Sequence, residues 1–363
     1  MGELSPVLTG LAVRSAFGAG AGALLPAALA GTPAFAPVTR FDTGAYRTNV
    51  AATMPGAPDL TDELAAAVQA ACADAQLAGA AGLAGTPLLL AAHADRRNRT
   101  VATEVAARTG LGPVPRTYTA ACVAASTALA DAAGQISRGE LDRAVIAAGY
   151  LVDADTFALF DAGRALAKDN RARPFSAGRT GLLLGDAVAA VVLESAAAAA
   201  DRGAPVRATL AGWGRAGDAY HVCQPRPDGA GLARAIDAAL HRAGVLPAEV
   251  GYVNANGTGT PFSDAAETAA LHTVFGPDAA TIPVSSTKSV HGHALEASGL
   301  IEIALTVLAL AAGQLPVNAG YLGPDPNCDL DVVVEARPAR PRYALSLNAA
   351  FGGANTALLV AAP

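Results

Sequence analysis

The segment Thr119-Ala-Ala-Cys122-Val-Ala-Ala-Ser126 sets a thiol where a strand-like stretch gives way to a long alanine-rich one. A cysteine in the first turn of a helix faces unpaired backbone N–H groups and the positive end of the helix dipole. Both stabilise the thiolate and lower the thiol pKa from ~8.5 toward neutrality. The small neighbours leave room for a substrate to reach the sulfur. Read alone, a free cysteine is more often a small buried hydrophobe. Cys72, Cys223 and Cys328 keep that reading, since nothing comparable surrounds them. Three further motifs favour chemistry at Cys122. They are Tyr252-Val-Asn-Ala-Asn256-Gly-Thr258-Gly-Thr260, then Ser286-Thr-Lys288-Ser-Val-His-Gly292-His293-Ala-Leu-Glu-Ala-Ser-Gly299 with Glu302 after it, and Asn348-Ala-Ala-Phe351-Gly352-Gly353-Ala-Asn355. Each reads as a strand end running into a Gly-rich turn, where backbone can come close to a ligand.

These residues need elements to hold them. Continuous apolar runs at Thr86–Ala92, Arg143–Gly149, Val188–Leu193 and Tyr343–Leu347 read as strands covered on both faces. Helices are expected over Thr61–Ala78, capped by Asp59 or Thr61, over Val123–Arg138, closed by Gly139, and over Gly231–Ala243. Strand–helix alternation of this kind implies an α/β fold with a largely parallel core. Arg202–Ala204 reads as a polar link between two halves.

Composition narrows the function classes. With 52% hydrophobic and 15% charged residues the chain can bury a large core and is not disordered. A net charge of −6 without any Lys/Arg block argues against a nucleic-acid partner. The four cysteines form neither CxxC pairs nor a dense framework, so zinc, disulfides and a metal site are not expected, and a reducing cytoplasm is. Ala34-Phe35-Ala36 imitates a signal-peptidase site. Glu3 is acidic, however, and Gly18, Gly20, Gly22 and Pro26 interrupt the apolar run, so buried strand and helix are expected there and no membrane span.

Together the motifs resemble the β-ketoacyl synthases of the elongating, thiolase-like kind. The resemblance covers nearly the whole chain. Leu8-Thr-Gly-Leu-Ala-Val-Arg-Ser-Ala-Phe-Gly is similar to that family's opening strand and turn. Arg173-Pro-Phe175 with Gly181–Asp186 is similar to its "R-P-F…G-E-G-A" segment, with Asp186 where Glu is usual. Asp218-Ala-Tyr-His221 and Pro225-Arg-Pro-Asp-Gly229 look like its "D-A-Y-H…P-x-P-x-G" stretch. The resemblance implies a layered αβαβα fold of two similar halves, residues 1–205 carrying the nucleophile and 206–363 the Asn, His and Gly-rich loops. It also implies a dimer.

The resemblance also implies roles. Cys122 would take an acyl chain from an acyl carrier protein as a thioester, and the backbone N–H groups of Cys122 and Phe351 would hold the developing oxyanion. His293 would polarise a malonyl carbonyl through Nε2. Lys288 and Glu302 match a buried ion pair beneath that His, and Thr258 and Thr260 match contacts to the phosphopantetheine arm. No cofactor of its own is implied, because phosphopantetheine arrives on the carrier protein. One position departs: the family's "H-G-T-G-T" reads Asn256-Gly-Thr-Gly-Thr here, leaving Cys–Asn–His. An amide donates an N–H bond but cannot carry a proton, so decarboxylation is expected to be weakened. The same triad types occur in thiolases. His291, beside Gly292, is a candidate substitute base, whereas His93, His241 and His272 sit in ordinary helix or loop contexts and His221 in a structural one.

Two functions follow, with a malonyl-binding scaffold without catalysis as a weaker third. The first is a ketosynthase-like acyltransferase of polyketide or fatty acid biosynthesis, condensing or transferring a Cys122-bound acyl chain. The second is a partner subunit of the chain-length-factor kind, which shapes the acyl tunnel of an active synthase without condensing anything. Cys122 favours the first and Asn256 the second. Homodimer and heterodimer with a ketosynthase or chain-length-factor subunit both stay open.

Overall fold

A run such as Ala187–Ser195 is apolar at nearly every position, which suits a strand only when both faces are covered. A computed structural model of the chain describes residues 2–77, 79–93 and 100–363. In it Ala187, Ala189, Val191 and Leu193 point into one core, and Val188, Ala190 and Val192 into another on the opposite side. The strands that position the site are β1 (Pro6–Ser15), β2 (Leu88–Ala91), β3 (Arg116–Tyr118), β4 (Arg143–Tyr150), β5 (Ala187–Ser195), β6 (Ala208–Gly217), β7 (Val250–Asn254), β8 (Pro283–Ser285), β9 (Asp331–Val332), β10 (Tyr343–Ala350) and β11 (Ala354–Ala361). The principal helices are α1 (Leu60–Asp74), α2 (Ala124–Ser137), α3 (Ala230–Ala243), α4 (Pro261–Phe275) and α5 (Ser298–Ala312).

The pairings occur twice. In the first half β1 is antiparallel to β5 and β5 to β4, while β4, β2 and β3 run parallel. In the second, β6 is antiparallel to β11 and β11 to β10, while β10, β7, β8 and β9 run parallel. The halves join where β1 meets β6, antiparallel, at Val7–Thr209 and Leu8–Ala208. The repetition reaches the packing. A Cβ on Gly10 of β1 would lie 2.2 Å from the Ala71 carbonyl of α1, and one on Gly214 of β6 would lie 1.9 Å from the Ala235 carbonyl of α3. Backbone-to-backbone contact with the outer helix therefore requires glycine in both halves.

Helix α1 covers the outer face of the first half, and α3, with α4 against it, covers the outer face of the second. Helices α2 and α5 touch each other and strands of both halves, so they form the middle of five layers. The fold is α/β, layered αβαβα from two similar halves, as expected, but the expected largely parallel core is not found: the central strands β5, β1, β6 and β11 pair antiparallel, and the parallel strands lie outside them. The segment Leu295–Ala312 is long and apolar enough to cross a membrane, but it is largely buried in this middle layer. Asp59 caps α1, its carboxylate accepting the N–H groups of Thr61 and Asp62. That helix ends at Asp74, and the expected end at Ala78 lies outside the described residues. The Ala-rich N-terminal stretch contains a helix, Ala21–Ala30, whose Leu24 and Ala28 enter the central core. Residue 205 falls between β5 and β6, and the link before it is tied down: Arg202 pairs with Glu194 and donates to the Ala75 carbonyl at 2.7 Å.

Candidate active site

Cys122 sits on a 3-10 turn, Ala121–Val123, that runs directly into α2. Ala121 adopts φ +47°, a conformation that costs a non-glycine residue energy and is held here by the surrounding contacts. The turn packs against β10, α5 and the short turn Leu295–Ala297, so the central helices and two loops meet at the sulfur. Cys122 keeps 7% of its surface. The thiol is not lowered as the helix terminus alone would suggest. Burial, then the negative charge of Glu296, push it up to about 12, outweighing the opposing pull of Lys288 and the local backbone N–H.

A ring of buried side chains ties this centre together. Lys288 Nζ lies 2.6 Å from Glu302 Oε1 and 3.4 Å from Asn256 Oδ1. Asn348 Nδ2 donates to Glu302 Oε2 at 2.6 Å, and its Oδ1 accepts from Ser126, one turn beyond Cys122 on α2. The Ala349 N–H closes the ring by donating to Asn256 Oδ1 at 3.1 Å. Both partners of Asn256 Oδ1 are donors, which fixes the amide orientation and turns Nδ2 the other way. Glu302 is fully buried, and burial raises its carboxyl against the opposing pull of Lys288.

His293 is set by its own turn. Its Nδ1 accepts the Leu295 N–H at 3.1 Å and faces the Ser298 hydroxyl at 3.0 Å. An acceptor Nδ1 places the proton of the neutral ring on Nε2. Burial, with the charge of Lys288 next, holds the imidazole well below its ordinary pKa, so the ring is neutral. His293 is therefore a fixed Nε2–H donor. His291 instead turns Nε2 to Thr287 at 3.1 Å, and burial brings it down to about 3, a poor setting for a base at neutral pH.

The loop that carries Asn256 leaves β7 and is held from below by two carboxylates of α4. Glu267 accepts the N–H groups of Asn256 and Gly257 at 2.7 and 2.8 Å, and burial raises it to about 7. Asp264 accepts those of Phe175 and Gly259 at 2.8 and 3.1 Å, and burial raises it to about 6. Gly259 has φ +82°, and a Cβ there would come 2.7 Å from the Gly181 carbonyl oxygen. Thr258 and Thr260 share a hydroxyl–hydroxyl contact of 2.9 Å. Phe351 heads the turn between β10 and β11. The residue is 51% exposed, and its ring is stacked on Phe160 with centroids 5.5 Å apart.

His221 Nδ1 accepts the Cys223 and Gln224 N–H groups, a turn-holding role, and His272 bonds the Asp329 carbonyl. His93 departs from its expected ordinary context: its Nδ1 lies 2.8 Å from Glu296 Oε1. Glu296 and Ser126 were also missed as functional candidates. Only a position-by-position comparison of motif letters could have raised Glu296, because its approach to Cys122 is made entirely by the fold.

Family models for the β-ketoacyl synthase N-terminal and C-terminal domains match residues 92–199 and 207–321. A polyketide β-ketoacyl synthase 1 from Streptomyces cyaneus is 40% identical over 272 residues, 73% of this chain and 64% of that protein. A 3-oxoacyl-[acyl-carrier-protein] synthase 2 from Staphylococcus aureus is 38% identical over 255 residues, 68% of this chain and 63% of that one. This chain thus spans a little under two thirds of those curated relatives. Among solved structures, the ishigamide ketosynthase/chain length factor superposes with a TM-score of 0.91 over 99% of both chains at 29% identity. On its sequence matches and its layered fold, the chain belongs to the β-ketoacyl synthase family.

Proposed function

We propose that the chain is a ketosynthase-like acyltransferase of polyketide or fatty acid biosynthesis, loaded from an acyl carrier protein onto Cys122. The supporting observation is the neutral Nε2–H donor of His293, whose following turn, Leu295–Ala297, packs against the Cys122 turn and whose ring feels the Lys288 charge. Loading forms the Cys122 Sγ–acyl bond and breaks the acyl–pantetheine bond, the thiol proton passing to the departing pantetheine sulfur. The N–H groups of Cys122 and Phe351 hold the oxyanion of that step, one such donor being worth ~3–4 kcal/mol. In condensation the malonyl carboxylate leaves as carbon dioxide and its electron pair becomes an enolate. That enolate attacks the thioester carbon, and the Cys122 thiolate departs. No proton is transferred in this second step. Asn256 Nδ2 and His293 Nε2 stabilise the enolate oxygen, Lys288 and Glu302 orient them, and Thr258 and Thr260 contact the pantetheine arm.

This reading includes a cytoplasmic location, two functional halves (1–205 and 206–363), no resident cofactor, and no nucleic-acid or membrane partner. The test is intact-mass analysis after incubation with acyl–acyl carrier protein. An acyl adduct on Cys122 that disappears in Cys122→Ala is expected. The second reading, a chain-length-factor-type subunit in a heterodimer, draws on the protonated thiol beside Glu296 and on Asn256. Absence of any adduct, with activity restored only by a partner synthase, would select it.

A further inference from the structure

Beside the thiol, outside the ring just described, lies a second polar cluster with no assigned role. Glu296 is 3% exposed, and only one of its oxygens is engaged, by His93. The other, Oε2, is buried without a hydrogen-bond partner. Tyr150, at the end of β4, is 4% exposed and its hydroxyl is likewise buried without a partner; Thr156 stands near it without closing a bond. The turn carrying Glu296 touches both the Cys122 turn and β4. The charge of Glu296 acts on the Cys122 thiol and, behind that of Asp153, on the Tyr150 hydroxyl. Leu295, at φ +42°, provides the bend that brings Glu296 inward.

A buried donor and a buried acceptor left open on one side are each costly unless something completes them. A saturated alkyl chain completes neither. A hydroxyl completes both, accepting from Tyr150 and donating to Glu296. We infer that the acyl group carried on Cys122 bears a hydroxyl within its first few carbons, seated between the Tyr150 hydroxyl and Glu296 Oε2. The inference rests on Cys122 being the acylated residue.

The experiment compares S-(3-hydroxyhexanoyl)-pantetheine, S-hexanoyl-pantetheine and S-(3-aminohexanoyl)-pantetheine as donors, with the rate of the Cys122 adduct read by intact mass. The hydroxyacyl donor should load at least about 10-fold faster than hexanoyl, the size expected of a hydrogen bond to a charged group. Tyr150→Phe removes a hydroxyl that bonds nothing in the free protein, so the fold is retained. It should reduce hydroxyacyl loading several-fold and leave hexanoyl loading in place. Glu296→Ala should shrink the preference to a few-fold, the remainder resting on Tyr150. Equal loading of hydroxyhexanoyl and hexanoyl overturns the inference while leaving acyl loading intact. Preference for the amine overturns it in favour of a cation pocket. No adduct from any donor, in wild type or Glu296→Ala, removes both the inference and acylation of Cys122.

Discussion

Asn256 is the member of the buried ring that can donate a hydrogen bond but cannot carry a proton. Its Oδ1 is occupied by Lys288 and the Ala349 N–H, so what it has left to offer is an N–H bond. Two neutral donors can hold an enolate oxygen, and decarboxylative condensation asks for no proton. A histidine in this position would accept the Ala349 N–H at Nδ1 and present a better polarised Nε2–H. Asn256→His is therefore expected to raise malonyl–carrier-protein decarboxylation, on the order of 100-fold if the amide is a poor substitute donor. Carbon dioxide release is the measurement, and an unchanged rate would mean that Asn256 does not face the malonyl group. At this scale the sequence was partly legible. Cys122, Lys288, His293 and Glu302 stand in motifs whose resemblance to the β-ketoacyl synthases pointed to one cluster. Glu296 did not, because a glutamate between Leu295 and Ala297 reads as an ordinary polar residue until a left-handed Leu295 turns it toward a thiol far away in sequence.

The loop after β7 shows what an element must do to hold such residues. Its backbone N–H groups would be orphans were it not for Glu267 and Asp264 beneath them. Glu267 is raised from the ordinary 4.5 to about 7. Folding therefore favours its protonated form. The stabilisation from that form is complete below about pH 4.5 and is lost as pH rises toward 7, by about 3 kcal/mol at most. Glu267→Gln should flatten this dependence, so the difference in thermal midpoint between wild type and variant should shift by several degrees between pH 4.5 and 7.5. A constant difference would mean that Glu267 is ionised in the folded protein throughout. The strands and helices themselves were readable. Apolar runs at Arg143–Gly149 and Val188–Leu193 are β4 and β5 almost residue for residue, because strands buried on both faces leave an unbroken signature. The ends were less so: the helix expected from Val123 begins as a 3-10 turn, since Ala121 must twist to present the sulfur.

The molecule as a whole is two copies of one pattern sharing a middle layer, and the site lies where that layer meets the loops of the second half. The continuous sheet ends on the first half's side at β3, where Arg116 and Thr117 are exposed and, among the described residues, no strand pairs with the outer edge. Such edges are usually covered. A second subunit at this edge should give a particle of about 72 kDa, twice 35.9 kDa, in light scattering of the purified chain. A 36 kDa particle that doubles in mass only with a partner synthase would instead favour the heterodimer. The join between the halves has a consequence for how the chain is made. β1 pairs with Ser195 through Pro6 and with Thr209 through Val7. Until Ala187–Ser195 and Ala208–Gly217 have been made, that strand has only the short Gly18–Ala19 segment to pair with. Its exposed backbone is open to wrong pairings until synthesis passes Thr209, which makes a slow, chaperone-assisted birth the natural counterpart of this architecture.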